Sequence, residues 1–589
     1  MESNTKRKQE AISIKDALSN VGGIHISESK GKKKDWRDAI WNYPLFLRNL
    51  FVKTIPFSYI LFFLIISSLF ALFLQSKYFG TLLKTISYTQ DTYTEGLVGA
   101  HSSFNPLFVS TNYIDRSIDS LIFQKFVYID TDDKPEPGVA KSWTISADSL
   151  VYTFTIDEGL HWQDGSPVTM DDVMFTFDTA ISLSKNTTYD SVGAALEGVT
   201  INKMDDRTIA FTLPDANPTF FEAVSVYIVP KSQLENVDLQ NIYFSFLDDP
   251  VGSGKYMVEK TEQNAVYLTD NPYDNYNPHI KQIVFKIYPD YSSLENGLRV
   301  GAIDALSSTD NQALSFMSDY PSFTSIGEVQ KYMERILFFN VRKDDLKDSN
   351  VRVGLSYLLD KSSLLKESDI AGTVMTGPYS SDSWAFNNSI DYYDYNPASA
   401  ITYLSDAGFT KNAETGYFES KDGKILSFVL TYLGNDLNDR FVNALVKLYD
   451  KEGVIIEPRR LSYNEITQQV FPNRDFELLL YEVETTVDPD QYNLWHSQNV
   501  DYPKLNLSGY SNERMDILLE EARKTTNVTT RKTDYFQFEK YLMRDAPVIF
   551  LYNPTFTFYY NKDLKGIDLN DINFSYERYW NIQDWYWKK

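Results

Sequence analysis

Apolar and polar residues alternate through VYTFTI, with Tyr152, Phe154 and Ile156 on one side and Thr153 and Thr155 on the other. A period of two predicts a strand buried on one face. After residues 157–159 the alternation resumes at Leu160 and Trp162, which predicts a hairpin-like partner strand. The turn DGSP (Asp164–Pro167) follows. From Thr169 the period changes: Val173, Phe177 and Ala180 recur on one helical face, and Thr169 is placed to cap that helix. Similar helices are predicted from Asn396–Pro397, with Ile401, Leu404 and Ala407 inward and Gly408 as the stop, and from Asn512, with Met515, Leu518, Leu519 and Ala522 inward. Strands such as Ile283–Phe285–Ile287 and Phe428–Leu430 separate them. The mixture predicts α/β lobes with mixed sheets.

A different pattern stands near the N-terminus. Residues 54–76 carry no charge and contain FSYILFFLIISSLFALFL (Phe57–Leu74). At about 1.5 Å per residue this stretch covers a hydrocarbon core of roughly 30 Å as one transmembrane helix. The expected order is a basic tail (1–53), the span (54–76), a polar Thr- and Tyr-rich tether (77–95) and a large soluble module. Residues 1–56 hold 11 Lys and Arg against 6 Asp and Glu. Basic residues beside a first span stay cytoplasmic, so the C-terminal module is expected outside the cell membrane. A cleaved signal peptide fits less well, because the run is long, begins late and lacks a small-x-small cleavage site. Trp36, Trp41, Tyr43 and Phe46, interleaved with Arg37 and Arg48, read either as a helix on the inner leaflet or as part of a basic tail held near anionic lipid.

Charge and composition narrow the function. The chain carries −24, and the basic tail leaves the remainder more acidic still. Such a surface repels nucleic acid. Cysteine is absent, which excludes disulfides, thiolate metal sites, a Cys nucleophile and a lipid-bearing Cys. Stability then rests on core packing, for which 41 Tyr, 38 Phe and 9 Trp supply material. About 500 exported residues predict two or three lobes. GSGKY (Gly252–Tyr256) superficially suggests a phosphate loop, but Asp249 stands where its first Gly belongs and Tyr256 where Ser or Thr would hold magnesium. The five histidines (His25, His101, His161, His279, His496) are scattered, and no GxSxG elbow is present. Neither catalysis nor a cofactor is indicated.

Five blocks in order resemble the extracellular solute-binding proteins of the peptide/nickel class, the receptors that feed ABC importers. They are PGVAKSWTISADSLVYTFTIDEGLHWQDGSPVTMDDVMFTF (Pro137–Phe177), GSGKYMVEK (Gly252–Lys260), ILFFNVRKDDLKDSNVRVGLSYLLDKSSLL (Ile336–Leu365), DYNPASAITYLSDAGF (Asp394–Phe409), and DPDQYNLWHSQ through APVIFLYN (Asp488–Asn553). The resemblance spans roughly residues 95–589. It implies an α/β, two-lobed periplasmic-binding-protein-like fold of type II: lobe I with an inserted subdomain (96–315), lobe II (316–555) and a return to lobe I (556–589). It also implies a hinge, with a peptide held in the cleft through its main chain.

In peptide-binding relatives a lobe II strand leads to an Asp that takes the ligand's α-ammonium. Aligned on the Asp-Pro pair, that strand is LLLYEVETTVDPD (Leu478–Asp490), and the Asp falls on Thr485. Either Glu482 or Glu484 is expected to substitute, since alternate positions on a strand project the same way, or the ligand lacks a free amino end; an exposed acidic face is the competing reading of the two glutamates. Tyr481 shares the strand. Trp384, Trp495 and Tyr510 are expected as aromatic cleft lining, with core packing as the alternative, and Asn105 at the cleft mouth, with a structural turn as the alternative. Asp488–Pro489 reads as a turn, and Trp143 and Trp162 as core.

The implied function is capture of an oligopeptide-like solute and delivery to ABC permease subunits. A metal chelate or an oligosaccharide would suit the same lobes, though few histidines disfavour direct metal ligation. A sensor signalling through the cytoplasmic tail is the second class, and an enzyme the third.

Overall fold

The computed structural model describes residues 62 and 64–69 and, apart from 109–111, 187–191, 243–244, 247–248, 275, 311, 391 and 571, residues 91–588. Residues 1–75 and 76–589 are separate compact units. In the first, residues 62 and 64–69 of the expected span are helical with exposed side chains. The remainder of that span, the basic tail with its aromatic residues, and the tether up to residue 90 lie outside the described residues. Among the described residues no helix is long and apolar enough to cross a membrane.

The second unit is organised by one twelve-stranded sheet. Ten of its strands form the path: β1 (Thr92–Val98), β2 (Tyr256–Glu262), β3 (Ala265–Asp270), β4 (Gln282–Tyr288), β5 (Ala305–Ser308), β6 (Met333–Phe339), β7 (Ser427–Leu433), β8 (Ile455–Leu461), β9 (Leu478–Glu484) and β10 (Val548–Asn561). Their spatial order is β8-β7-β9-β6-β10-β5-β1-β4-β3-β2. The 14 residues of β10 belong to both halves. Its start pairs with β6 (Phe338↔Val548, Ile336↔Phe550), and its end pairs with β5 (Ser308↔Thr557, Ala305↔Tyr560). Phe323–Val329 runs antiparallel along the same end of β10. Two antiparallel segments therefore carry the chain between two lobes, each with its own core. Leu97, Phe285 and Phe558 centre the first core, and Leu337, Leu430 and Leu480 the second.

The first lobe carries an inserted four-stranded sheet in the order Ala140–Ile145, Val151–Ile156, Thr208–Thr212, Thr200–Lys203. Tyr152, Phe154 and Ile156 are buried on one face, as their alternation predicts. The expected hairpin partner at Leu160–Trp162 is not a strand. A tight turn folds Trp162 back on Ser166 (N–H to O, 2.8 Å), and Val151–Ile156 pairs instead with Ala140–Ile145 and Thr208–Thr212. Trp162 is apolar filling for the subdomain core, so its alternation reflects burial rather than pairing.

Three helices of this lobe matter below: α1 (Tyr113–Ile122), α2 (Met170–Asn186) and α3 (Phe220–Val224). In α2, Val173, Phe177 and Ala180 are buried, and the Thr169 hydroxyl accepts from Asp172 N–H at 3.3 Å. The expected tether also needs correction at its end. Residues 92–95 are part of β1, where Glu95 is fully buried and meets Arg578 at 2.8 Å, with Tyr579 donating to it at 2.6 Å. The Thr- and Tyr-rich composition looks solvent-loving only until that distant arginine neutralises the acid. In GSGKY the glycines serve packing: a Cβ on Gly254 would lie 2.3 Å from the Leu121 carbonyl oxygen at the end of α1.

Candidate functional site: the pocket between the lobes

A pocket of about 180 Å³ opens between first-lobe residues and Glu484, the last residue of β9 in the second lobe. Its first-lobe wall comes from the 106–108 loop, α1, and the segment after α3, where Ser225, Val226 and Tyr227 contribute; Tyr576 of the returning C-terminal segment closes one side. Asn105 does not face the opening. It is buried, its Nδ2 donating to Ile242 O at 2.5 Å while its Oδ1 accepts from Leu107 N at 3.2 Å, and it thereby shapes the turn that presents Pro106 and Phe108.

Helix α1 sets the charges. Asn112 caps it by accepting from Ile114 N–H at 3.0 Å, and Ile114, Ile118, Leu121 and Ile122 bury its apolar face. Arg116 and Asp119, three residues apart, line the pocket from the other side. The Arg116 guanidinium grips Glu484 with both nitrogens, at 2.5 and 2.8 Å, and lies 3.7 Å from the centre of the Tyr576 ring. Burial works against its charge, but Tyr576 and Glu484 outweigh that and hold it firmly protonated. Burial, with the Asp115 charge behind it, pushes Asp119 well above the usual carboxylate range.

The sequence-predicted residues divide. Glu484 lines the pocket. Glu482, two residues back on the same strand face, is held at 3.0 Å by Arg335 from β6. Thr485 donates its N–H to Tyr332 O at 2.8 Å, and its hydroxyl lies 3.4 Å from Glu334, whose carboxyl burial raises to about 8. The ring of Tyr481 meets Phe471 edge-on at 5.0 Å. Trp384 is half-buried between Tyr535 and the Arg531 guanidinium. Trp495 and Tyr510 lie in the second-lobe core rather than on the pocket wall. Trp495 packs against Phe338 and Phe550 and donates to Gln491 at 3.0 Å, while the Tyr510 hydroxyl bonds Asp545. Both follow the ordinary rule that a large aromatic is buried where its polar tip finds a partner.

A second bridge between the lobes lies at Asp488. Its carboxylate is clasped by Arg531 at 2.8 and 2.6 Å, and its N–H donates to Glu222 of α3 at 2.9 Å. Asp133, at the β-turn between Val127–Ile129 and Pro135–Pro137, hydrogen-bonds the same carboxylate and is pushed up to about 7 by burial and by the Asp488 charge. Asp488 therefore joins the lobes.

Arg116, Asp119, Tyr227 and Tyr576 escaped sequence reasoning. The one available signal was the polar face of the amphipathic segment 113–122; Tyr576 lies 460 residues from Arg116. A larger cavity of about 870 Å³ in the first lobe shares Lys125 and Tyr227 with this pocket. Among the described residues no group of three His, Cys, Asp or Glu is placed to hold a metal ion.

Two α/β lobes joined by crossing strands, with a charged pocket between them, define a clamshell receptor. The chain belongs to the bacterial extracellular solute-binding proteins of family 5: the model described as "Bacterial extracellular solute-binding proteins, family 5 Middle" matches residues 134–502. Members are binding receptors of ABC-transporter type, so this chain is a solute receptor and not an enzyme. Oligopeptide-binding protein AppA of Bacillus subtilis (strain 168) is 26% identical over 509 residues, covering 84% of this chain and 91% of that protein. The probable D,D-dipeptide-binding periplasmic protein DdpA of Escherichia coli (strain K12) is 24% identical, covering 76% and 86%. Among solved structures, NikZ from Campylobacter jejuni in complex with Ni(L-His) is 27% identical with a TM-score of 0.71, covering 85% of this chain and 100% of that one. AppA from B. subtilis in complex with a nonapeptide, at 24% and a TM-score of 0.71, covers 85% and 99%.

Proposed function

We propose that this receptor is anchored in the cell membrane by residues 54–76, with the N-terminus cytoplasmic, and captures short peptides outside for an ABC permease. The observation that carries the peptide reading is the interlobe pocket, where paired charges from both lobes meet beside aromatic walls. A zwitterionic peptide brings one charge of each sign and a polar main chain to such a site. The family relatives named for oligopeptides and dipeptides support the same ligand class. At about 180 Å³ the pocket is smaller than a typical ligand site, so the arrangement corresponds to a closed clamshell that must open to load. The 23 uncharged residues and the basic flank support the anchor, and tethering would keep the receptor at high local concentration near its permease.

Mass spectrometry of the detergent-extracted full chain tests the ligand: peptides should co-purify with it and be displaced by added peptide. Recovery of only non-peptide solutes would refute the peptide reading. Release of the chain from membranes by alkaline carbonate would refute the anchor.

A further inference from the structure

The cavity of about 870 Å³ lies between the inserted subdomain and the body of the first lobe, and every residue on its wall belongs to that lobe. Its subdomain wall comes from the hairpin of Val127–Ile129 and Pro135–Pro137 and from the turn at 157–161. Its body wall is 253–255, the loop after β3, and 577–580. Buried Asn271 builds that loop, donating its side-chain N–H to Gly254 O at 2.8 Å and accepting from Tyr273 N–H at 3.0 Å. The Trp580 ring is held by its Nε1, which donates to Asp568 O at 3.0 Å. Tyr128, Tyr273, Tyr276 and Trp580 thus line one cavity, each at least 36% exposed instead of packed in a core.

Charge decides what such rings would hold. Six carboxylates line the cavity, Asp130, Asp132, Glu136, Asp157, Asp274 and Glu577, against two lysines. Lys125, in the wall shared with the interlobe pocket, is paired with Glu577 at 3.2 Å. Lys255 donates to Trp580 O at 2.8 Å, and burial pulls it down to about 8, which weakens the remaining positive charge. The rings already meet cations of the protein itself. Lys255 Nζ lies 5.3 Å from the centre of the Tyr276 ring, and Lys125 Nζ 6.0 Å from that of Tyr128. Ser253, on the same wall and 7% exposed, has a hydroxyl that finds no hydrogen-bond partner among the described residues. An organic amine fits this chemistry: its apolar body covers the rings while its N–H groups meet the acids.

We infer that this first-lobe cavity is a second ligand site, for an organic amine cation, separate from the interlobe cleft. The inference does not rest on the peptide reading of that cleft. The amine carries either one charge on an aromatic body or several charges on an aliphatic one, since both share the chemistry.

Equilibrium dialysis of the full chain in detergent tests this with tyramine, spermidine and tyrosol, the uncharged counterpart of tyramine. The wild type is expected to retain at least one amine about tenfold better than tyrosol. Tyr276→Ala and Glu136→Gln together should lower that retention by about tenfold. Preference for tyramine gives the rings the leading part; preference for spermidine gives it to the acids. Both substituted side chains are exposed, so far-UV spectra and tripeptide retention should match the wild type. Tyrosol retained as well as the amines, no amine retained, or amine retention unchanged in the double variant overturns the inference and leaves the peptide reading intact. Displacement of the amine by tripeptides also overturns it, because the amine then sits in the cleft. Amine retention without tripeptide retention upholds the inference and sinks the peptide reading.

Discussion

Arg116 and Glu484 form a two-pronged ion pair across the cleft, one from a helix of the first lobe and one from the end of a strand in the second. Moving the lobes apart must break the pair, so on the proposed reading it is one of the contacts that close the cleft. Both side chains keep partial access to solvent, 24% and 33%, so the interaction is screened. A double-mutant cycle with R116A and E484Q should give a coupling of about 0.5–1 kcal/mol in peptide affinity, shrinking as salt rises. Zero coupling would remove the pair from the closing contacts.

Asp133 and Asp488 make closure depend on pH. Tyr332 and Glu222 face Asp133, with Asp130 nearby, and Arg531 supplies the countercharge. Burial raises Asp488 as well, against the pull of Arg531, so the two carboxyls share a proton, and Asp133, which has no guanidinium clasp of its own, takes it. Its carboxyl is raised in the closed form to about 7, above an ordinary value of roughly 4, so the closed form binds the extra proton. Stabilisation of closure is then complete below about pH 4 and is lost as pH rises through about 7. Small-angle scattering or interlobe fluorescence transfer from pH 4.5 to 8 should show progressive opening in the wild type. D133N should flatten that profile.

The Asp488–Arg531 pair lies within the molecule, its side chains 3% and 4% exposed. Removing one partner strands the other charge. Arg531→Met should lower unfolding stability by about 3–5 kcal/mol in urea titration. The loss should be larger than for R116A, whose partner can reach water.

Glu95 and Arg578 are both fully buried, linking β1 to the returning C-terminal segment. E95A should cost on the order of 3–5 kcal/mol, and R578M a similar amount. Each should appear as destabilisation of the first lobe by hydrogen exchange, with the second lobe's β6–β9 pairing keeping its protection.

Periodicity carried the local structure well. The alternation at Tyr152, Phe154 and Ile156 and the helical faces at Val173, Phe177 and Ala180, and at Met515, Leu519 and Ala522, are buried as read, with Leu518 half-buried. Of the face expected at Ile401, Leu404 and Ala407 only Leu404 is buried, and Ile401 is 43% exposed. These patterns survive because each depends on neighbours within a few residues. The reading failed where polarity was cancelled from afar, as in β1, where Arg578 makes Glu95 a core residue. It failed equally where burial imitated alternation, as at Leu160–Trp162.

The sequence by itself determined the α/β class, the family, and a 23-residue uncharged run long enough for an anchor, since all three are written in composition, spacing and ordered motifs. It also brought Glu484 to attention, because strand geometry sets which way alternate side chains point. Only the tertiary structure decided what Glu484 meets. That depends on Arg116, Glu484 and Tyr576 meeting across hundreds of residues, where side chains from separate lobes compete for the same charges and no local pattern records the winner.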